Sequence, residues 1–197
     1  MRLVRYRDLA DRIRASRPSA GGSRVVAVDG PAGSGKTVFA QRLAEVLPAN
    51  VICLDDLTPS WTGPDKEAEL LVQQVLEPLS RGTRARFHFF DWVKDEYTEW
   101  RDVPPDPFLV VEGVGAGSRT VRPFATQLVW VEAPSAIRLA RGLKRDGTER
   151  RPEWERWRLR EDALFEREDT RSAADLVVDG APTQPHDPDL EFVLREQ

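Results

Sequence analysis

Apolar positions fall into short unbroken runs, separated by stretches in which they recur every three or four residues. That alternation predicts buried strands interleaved with amphipathic helices. Leu9 and Ile13, at helical spacing among charges, predict a helix over 5–17, stopped by Pro18 and the Ser/Gly stretch to Ser23. Val25, Val26, Ala27 and Val28 form an unbroken apolar run, as in a strand covered on both faces. Phe39, Leu43, Val46 and Leu47 then share a helical face, and Pro48 ends it. Residues 51–54 predict a second strand, 65–80 a helix with Leu70, Leu71, Gln74, Val75 and Leu79 near one stripe, and 84–90 a strand. Beyond a Trp- and Pro-rich connection, 108–111 and 127–131 read as strands, 134–145 and 152–171 as helices, and 176–178 as a last buried strand.

Strands alternating with helices imply a doubly wound α/β domain, with a parallel sheet of about five strands and helices on both faces. The boundaries are 1–23 for an N-terminal helix and linker, 24–180 for the domain and 181–197 for a Pro/Asp-rich tail. The 197 residues suit one such domain. A net charge of −4 argues against a nucleic-acid partner. The single cysteine, Cys53, and two distant histidines, His88 and His186, exclude a disulfide scaffold and a Cys/His zinc site. No long apolar run calls for a membrane, and the reading is cytoplasmic. Oligomeric state is left open, self-association included.

Candidate chemistry starts between the first buried strand and the helix after it. Residues 30–37, Gly-Pro-Ala-Gly-Ser-Gly-Lys-Thr, match G-x-x-x-x-G-K-[ST] at every fixed position. Glycines let successive N–H groups turn toward phosphate oxygens at the positive end of a helix dipole. Lys36 can reach the β- and γ-phosphates, and Thr37 can offer its hydroxyl to Mg²⁺. Gly30, Ala32, Gly33, Ser34, Gly35, Lys36, Thr37 and Val38 are thus the nucleotide-binding candidates for ATP. The only asparagine, Asn50, precedes Val51, so the Asn-Lys-x-Asp element of regulatory GTPases is absent. Leu79-Ser80-Arg81-Gly82 does not supply the Ser-Gly-Gly-Gln element of transporter ATPases.

Four further segments follow the loop in order: Leu54-Asp55-Asp56, Val110-Val111-Glu112-Gly113, Arg138-Leu139-Ala140-Arg141, and Arg145-Asp146. Together with 28–37 they resemble the P-loop uridine kinase and nicotinamide riboside kinase group, over about residues 24–180. The resemblance implies a small helical lid and ATP-dependent phosphorylation of a hydroxyl on a nucleoside or similar small molecule. It makes Asp55 the base that receives the acceptor proton and puts Arg141 and Arg145 over the transferred phosphoryl. A carboxylate at the C-terminal edge of a strand beside the loop strand would face the γ-phosphate crevice. Asp56 fits turn or capping duty, and Arg138 a solvated basic face. Glu112, ending its strand, can hold Mg²⁺ or grip the acceptor.

Phe89-Phe90-Asp91-Trp92 resembles the nucleoside-contacting segment of uridine kinases, but Val93-Lys94-Asp95-Glu96 follows, without the His and Arg of that family. The acceptor class therefore stays open between a nucleoside and a vitamin precursor, sugar or antibiotic, and a nucleotide-binding regulator without turnover is a third reading. Asp65 stands where the family carries an acidic sugar contact. Trp61 and Trp92 fall in loops on the acceptor side, where aromatic rings can wall a flat substrate. Trp130 reads as core, Trp154 and Trp157 as packing for the last long helix, and Cys53 as a small buried hydrophobe.

Overall fold

The computed structural model describes residues 1–59 and 64–196. Its main sheet has seven strands: β1 (Arg2–Arg5), β2 (Arg24–Asp29), β3 (Asn50–Cys53), β6 (Phe108–Glu112), β7 (Gln127–Glu132), β8 (Leu176–Asp179) and β9 (Glu191–Leu194). β4 (Ala85–Asp91) and β5 (Glu96–Val103) form a separate antiparallel hairpin. The sheet order is β1-β9-β8-β7-β2-β6-β3. From β8 to β3 every pairing is parallel, and β9 and β1 extend the β8 edge antiparallel.

Side chains alternate between the faces of a strand, so an unbroken apolar run fills two cores. Val26 and Val28 point to one, with Leu9 and Ile13 of α1 (Tyr6–Ala15) and Phe39 and Leu43 of α2 (Lys36–Val46). Val25 and Ala27 point to the other, with Leu71, Val75 and Leu79. Those three lie on one helical run built from α3 (Pro64–Leu71), a π turn (Val72–Leu76) and α4 (Glu77–Ser80). Trp130 belongs to this second core, edge-on to Phe165 at 4.6 Å. The helices α5 (Ser135–Asp146), α6 (Arg151–Glu168) and α7 (Thr170–Ala173) lie between β7 and β8 in the chain. No helix among the described residues is long and apolar enough to cross a membrane.

The structure departs from the sequence expectation at three strands. The N-terminal segment supplies β1 and the Pro/Asp-rich tail supplies β9, so both ends join the sheet of the central domain. The connection after residue 90 holds β5, whose mostly exposed Glu-Tyr-Thr-Glu-Trp-Arg-Asp carries no apolar run to announce a strand.

Candidate active site

The loop 30–37 is shaped from beneath by Asp29, the last residue of β2. Fully buried, its Oδ1 accepts the N–H groups of Gly30 (2.7 Å) and Gly115 (3.0 Å), and its Oδ2 that of Gly117 (2.8 Å). Burial pushes this carboxyl up to about 6, against the pull of those three donors. Gly30 adopts φ +142°, and a Cβ there would meet the Val131 carbonyl oxygen at 2.0 Å. Only glycine fits such a site. α2 then starts at Lys36, so its positive end faces the loop. Lys36 is nearly buried and its Nζ donates to the Pro31 carbonyl at 3.2 Å. Thr37 Oγ1 donates to Glu112 Oε1 at 2.9 Å, and Glu112 is itself 2% exposed.

Ala32, Gly33, Gly35, Lys36, Thr37 and Val38 form one wall of a cleft of ≈ 740 Å³; Gly30 and Ser34 support the loop without lining the cleft. Asp55, Asp56, Glu67 and Trp92 line the same cleft, and Glu112 ends the strand between β2 and β3. Asp55 and Asp56 lie on a single 3-10 turn, Leu54–Leu57, directly after β3. β3 does not adjoin β2 as the sequence reading supposed: β6 lies between them, and its terminal Glu112 fills the gap. Trp92 Nε1 reaches over from the hairpin tip and donates to the Asp55 carbonyl at 2.7 Å. Asp56 sits 3.8 Å from Arg101 Nη1; burial nonetheless pushes its carboxyl up to about 6.

Two expected acceptor contacts, Asp65 and Asp91, are placed differently. Asp65 faces away and is hydrogen-bonded to Arg167 on α6, outside the cleft lining. Asp91 caps its own turn, accepting Val93 N–H at 2.9 Å and Lys94 N–H at 3.1 Å, which holds its carboxyl below the usual range. Trp61 lies outside the described residues. In their place the cleft holds Glu67, 2% exposed. Its Oε1 accepts Thr58 Oγ1 at 3.0 Å, and its buried Oε2 has no hydrogen-bond partner among the described residues. Burial, reinforced by the charge of Asp55, pushes this carboxyl up to about 8. The sequence did carry a signal for it: Glu67, Leu71 and Val75 share one helical stripe, and an acid inside an apolar stripe faces inward. Cys53 is half-buried and lines the cleft rather than the core.

The lid side is made by α5 and α6. Arg141 and Arg145 both line the cleft, each already engaged. Arg141 donates to the carbonyls of Gly33 (3.2 Å), Ser34 (3.4 Å) and Gly180 (2.9 Å). Arg145 forms a two-pronged pair with Asp146 (2.7 and 3.0 Å), which also accepts Trp154 Nε1 at 2.9 Å. Trp154 packs on Gly142, and both Trp154 and Trp157 line the cleft. Arg138 is not a solvated residue; it pairs with buried Glu161 at 2.8 Å. Among the described residues no cluster of three or more His, Cys, Asp or Glu could cage a metal. The Thr37 hydroxyl and Glu112 carboxylate are hard oxygen donors, which suit Mg²⁺ held mainly by phosphate and water.

No family model matches the sequence. Over 145 residues it is 26% identical to a uridine kinase of Borrelia turicatae, spanning 64% of this chain and 69% of that protein. A uridine kinase of Borrelia hermsii is 25% identical with the same coverage. The inorganic pyrophosphatase TTM2 of Arabidopsis thaliana is 29% identical over 132 residues, 62% of this chain, and the match spans about a fifth (20%) of that protein. Among solved structures, a candidate uridine kinase from Bacillus stearothermophilus superposes with a TM-score of 0.64 at 23% identity, covering 87% of this chain and 96% of that one. A candidate fructose transport system kinase from Silicibacter sp. TM1040 gives a TM-score of 0.59 at 22% identity, covering 89% and 90%. The chain has the fold of the P-loop kinases. Its sequence relatives support a P-loop uridine kinase-like family.

Proposed function

We propose that this chain, similar to uridine kinases, is an ATP-dependent small-molecule kinase that transfers the γ-phosphoryl group to a hydroxyl of a nucleoside of the uridine or cytidine type. One observation carries the reading: the phosphate loop with Lys36 and a pair of adjacent carboxylates, Asp55 and Asp56, line one cleft, with Glu112 at the end of the strand between them. Loop N–H groups and Lys36 would bind the triphosphate and orient its γ end. Asp55, open to the cleft, would accept the proton of the acceptor hydroxyl as its oxygen forms the new P–O bond and ADP leaves. Thr37 and Glu112 would hold Mg²⁺, which would supply positive charge to offset that of the phosphates. Glu67 takes over the acceptor contact read for Asp65, offering a polar group at the acceptor end, and Trp92 walls that end. Arg141 and Arg145, which line the same cleft, would exchange their present partners for phosphate oxygens.

A second reading, the same transfer to a non-nucleoside alcohol, is favoured by Asp91: it caps its own turn, and no His or Arg follows it to read a base. The deciding experiment incubates the protein with Mg·ATP and a panel of nucleosides, sugars and vitamin precursors, following ADP release and acceptor mass. One phosphate gained by uridine or cytidine supports the first reading, and by another alcohol the second. Nucleotide binding without acceptor-dependent ADP overturns both and leaves a binding regulator.

A further inference from the structure

The phosphate loop is gripped from its outer side as well as its inner one. Glu161, in the middle of α6 and 1% exposed, accepts the Ala32 N–H on Oε2 and Arg138 Nη1 on Oε1, each at 2.8 Å. Arg138 also donates through Nη1 to the Ala32 carbonyl at 3.4 Å and through Nε to the Ala133 carbonyl at 3.2 Å. Its own carbonyl oxygen closes on Gly33, where a Cβ would approach to 2.6 Å. One acid therefore ties α6, α5 and the second and third residues after Gly30 into a single unit. Neither Glu161 nor Arg138 lines the cleft; both face a separate groove between α5 and α6.

Burying a carboxylate is costly unless it is paired and hydrogen-bonded. For a helix that only had to pack, an apolar residue beside Trp154 and Leu164 would serve. An acid there also stands next to a site read as binding phosphates, whose charge it would oppose. Arg138 cancels that charge while the second carboxylate oxygen keeps the loop amide, so the pair delivers a fixed acceptor without a net negative field.

We infer that Glu161 is a positioning residue of the nucleotide site: through the Ala32 amide it holds the loop in its phosphate-binding shape before nucleotide arrives, and it couples that shape to α6. The inference rests on the nucleotide-site reading above. Pre-set geometry raises affinity by removing the ordering cost of binding.

The full chain is compared with Glu161→Gln and with Glu161→Leu combined with Arg138→Met, which leaves no stranded charge. Amide exchange over 30–37 without nucleotide, Mg·ATP affinity, acceptor KM and thermal melting are followed. In the double variant loop exchange quickens and Mg·ATP binding weakens, each by at least ~10-fold, with acceptor KM unchanged. Glu161→Gln, which keeps an oxygen for Ala32, restores both to within about threefold. A folded double variant whose loop exchange and nucleotide affinity stay within about threefold of the parent overturns the inference. If the double variant does not melt cooperatively, the parent decides: an Ala32 amide exchanging as fast as exposed loop amides overturns it, and a protected one supports it. Failure of the parent to bind Mg·ATP would instead sink the kinase reading, while the exchange measurement still reports on Glu161.

Discussion

The Thr37 hydroxyl donates to Glu112 Oε1 over 2.9 Å, which joins the first turn of α2 to the acid that closes β6. β6 lies between β2 and β3, so this pair joins the phosphate loop to the strand that stands between it and the 3-10 turn carrying Asp55. Two hard donors at such a junction suit a divalent ion shared with phosphate oxygens.

Glu112→Gln keeps an oxygen for Thr37 and removes the charge. The Mg²⁺ concentration needed for half-maximal nucleotide binding rises at least ~10-fold, while metal-free nucleotide binding is unchanged. Titrating Mg²⁺ against a fluorescent ATP analogue reads both, and an unshifted metal midpoint would refute the assignment.

The central strands were legible because burial on both faces forces an unbroken apolar run, as in 25–28 and 108–111. β9 was not: a strand of four residues, Glu-Phe-Val-Leu, follows a Pro/Asp-rich stretch whose composition reads as tail. The loop was legible because its chemistry fixes glycine, lysine and threonine at set spacing. Glu67 and Glu161 escaped because an acid in a helix normally marks the solvated face, and only the stripe it shares with buried neighbours shows otherwise.

Phe192 of β9 is buried, with its ring 5.1 Å from both Tyr6 and Phe39. The C-terminal segment thereby fastens α1 and α2 to the sheet edge. Phe192→Ala costs ~3–5 kcal/mol of unfolding free energy in urea, as for a core aromatic. A loss below about 1 kcal/mol would show that β9 contributes little to the domain.

Glu67 gives a pH dependence of defined sign. Its carboxyl lies at about 8 in the folded chain against the usual 4.5, so the folded state holds this proton more tightly than the unfolded one. Its contribution is most favourable below 4.5, declines as pH rises toward 8, and is level above that. The full swing is a few kcal/mol, at ~1.4 kcal/mol per pH unit. Glu67→Gln is uncharged and nearly isosteric, so its advantage in Tm over the parent is small at low pH and grows by several degrees in alkaline buffer. Because Asp29 and Asp56 titrate in both proteins, their effects largely cancel in the difference. An advantage that does not change with pH would contradict the buried carboxyl.

Asp55 and Asp56 are neighbours on one turn, yet their surroundings assign them different work. Trp92 holds the Asp55 carbonyl and leaves its carboxylate open to the cleft, whereas Asp56 is half-buried and faces Arg101 at 3.8 Å. A base needs access to the acceptor hydroxyl, and a residue held by a cation serves better to fix the turn. Asp55→Asn therefore leaves Mg·ATP affinity within about threefold and lowers turnover at least ~100-fold, while Asp56→Asn lowers turnover by less than about tenfold. Single-turnover measurements on an accepted substrate separate the two. Should Asp56→Asn prove the more damaging, with Asp55→Asn near normal, the proton would pass to Asp56, and Arg101 would become the residue that tunes the base.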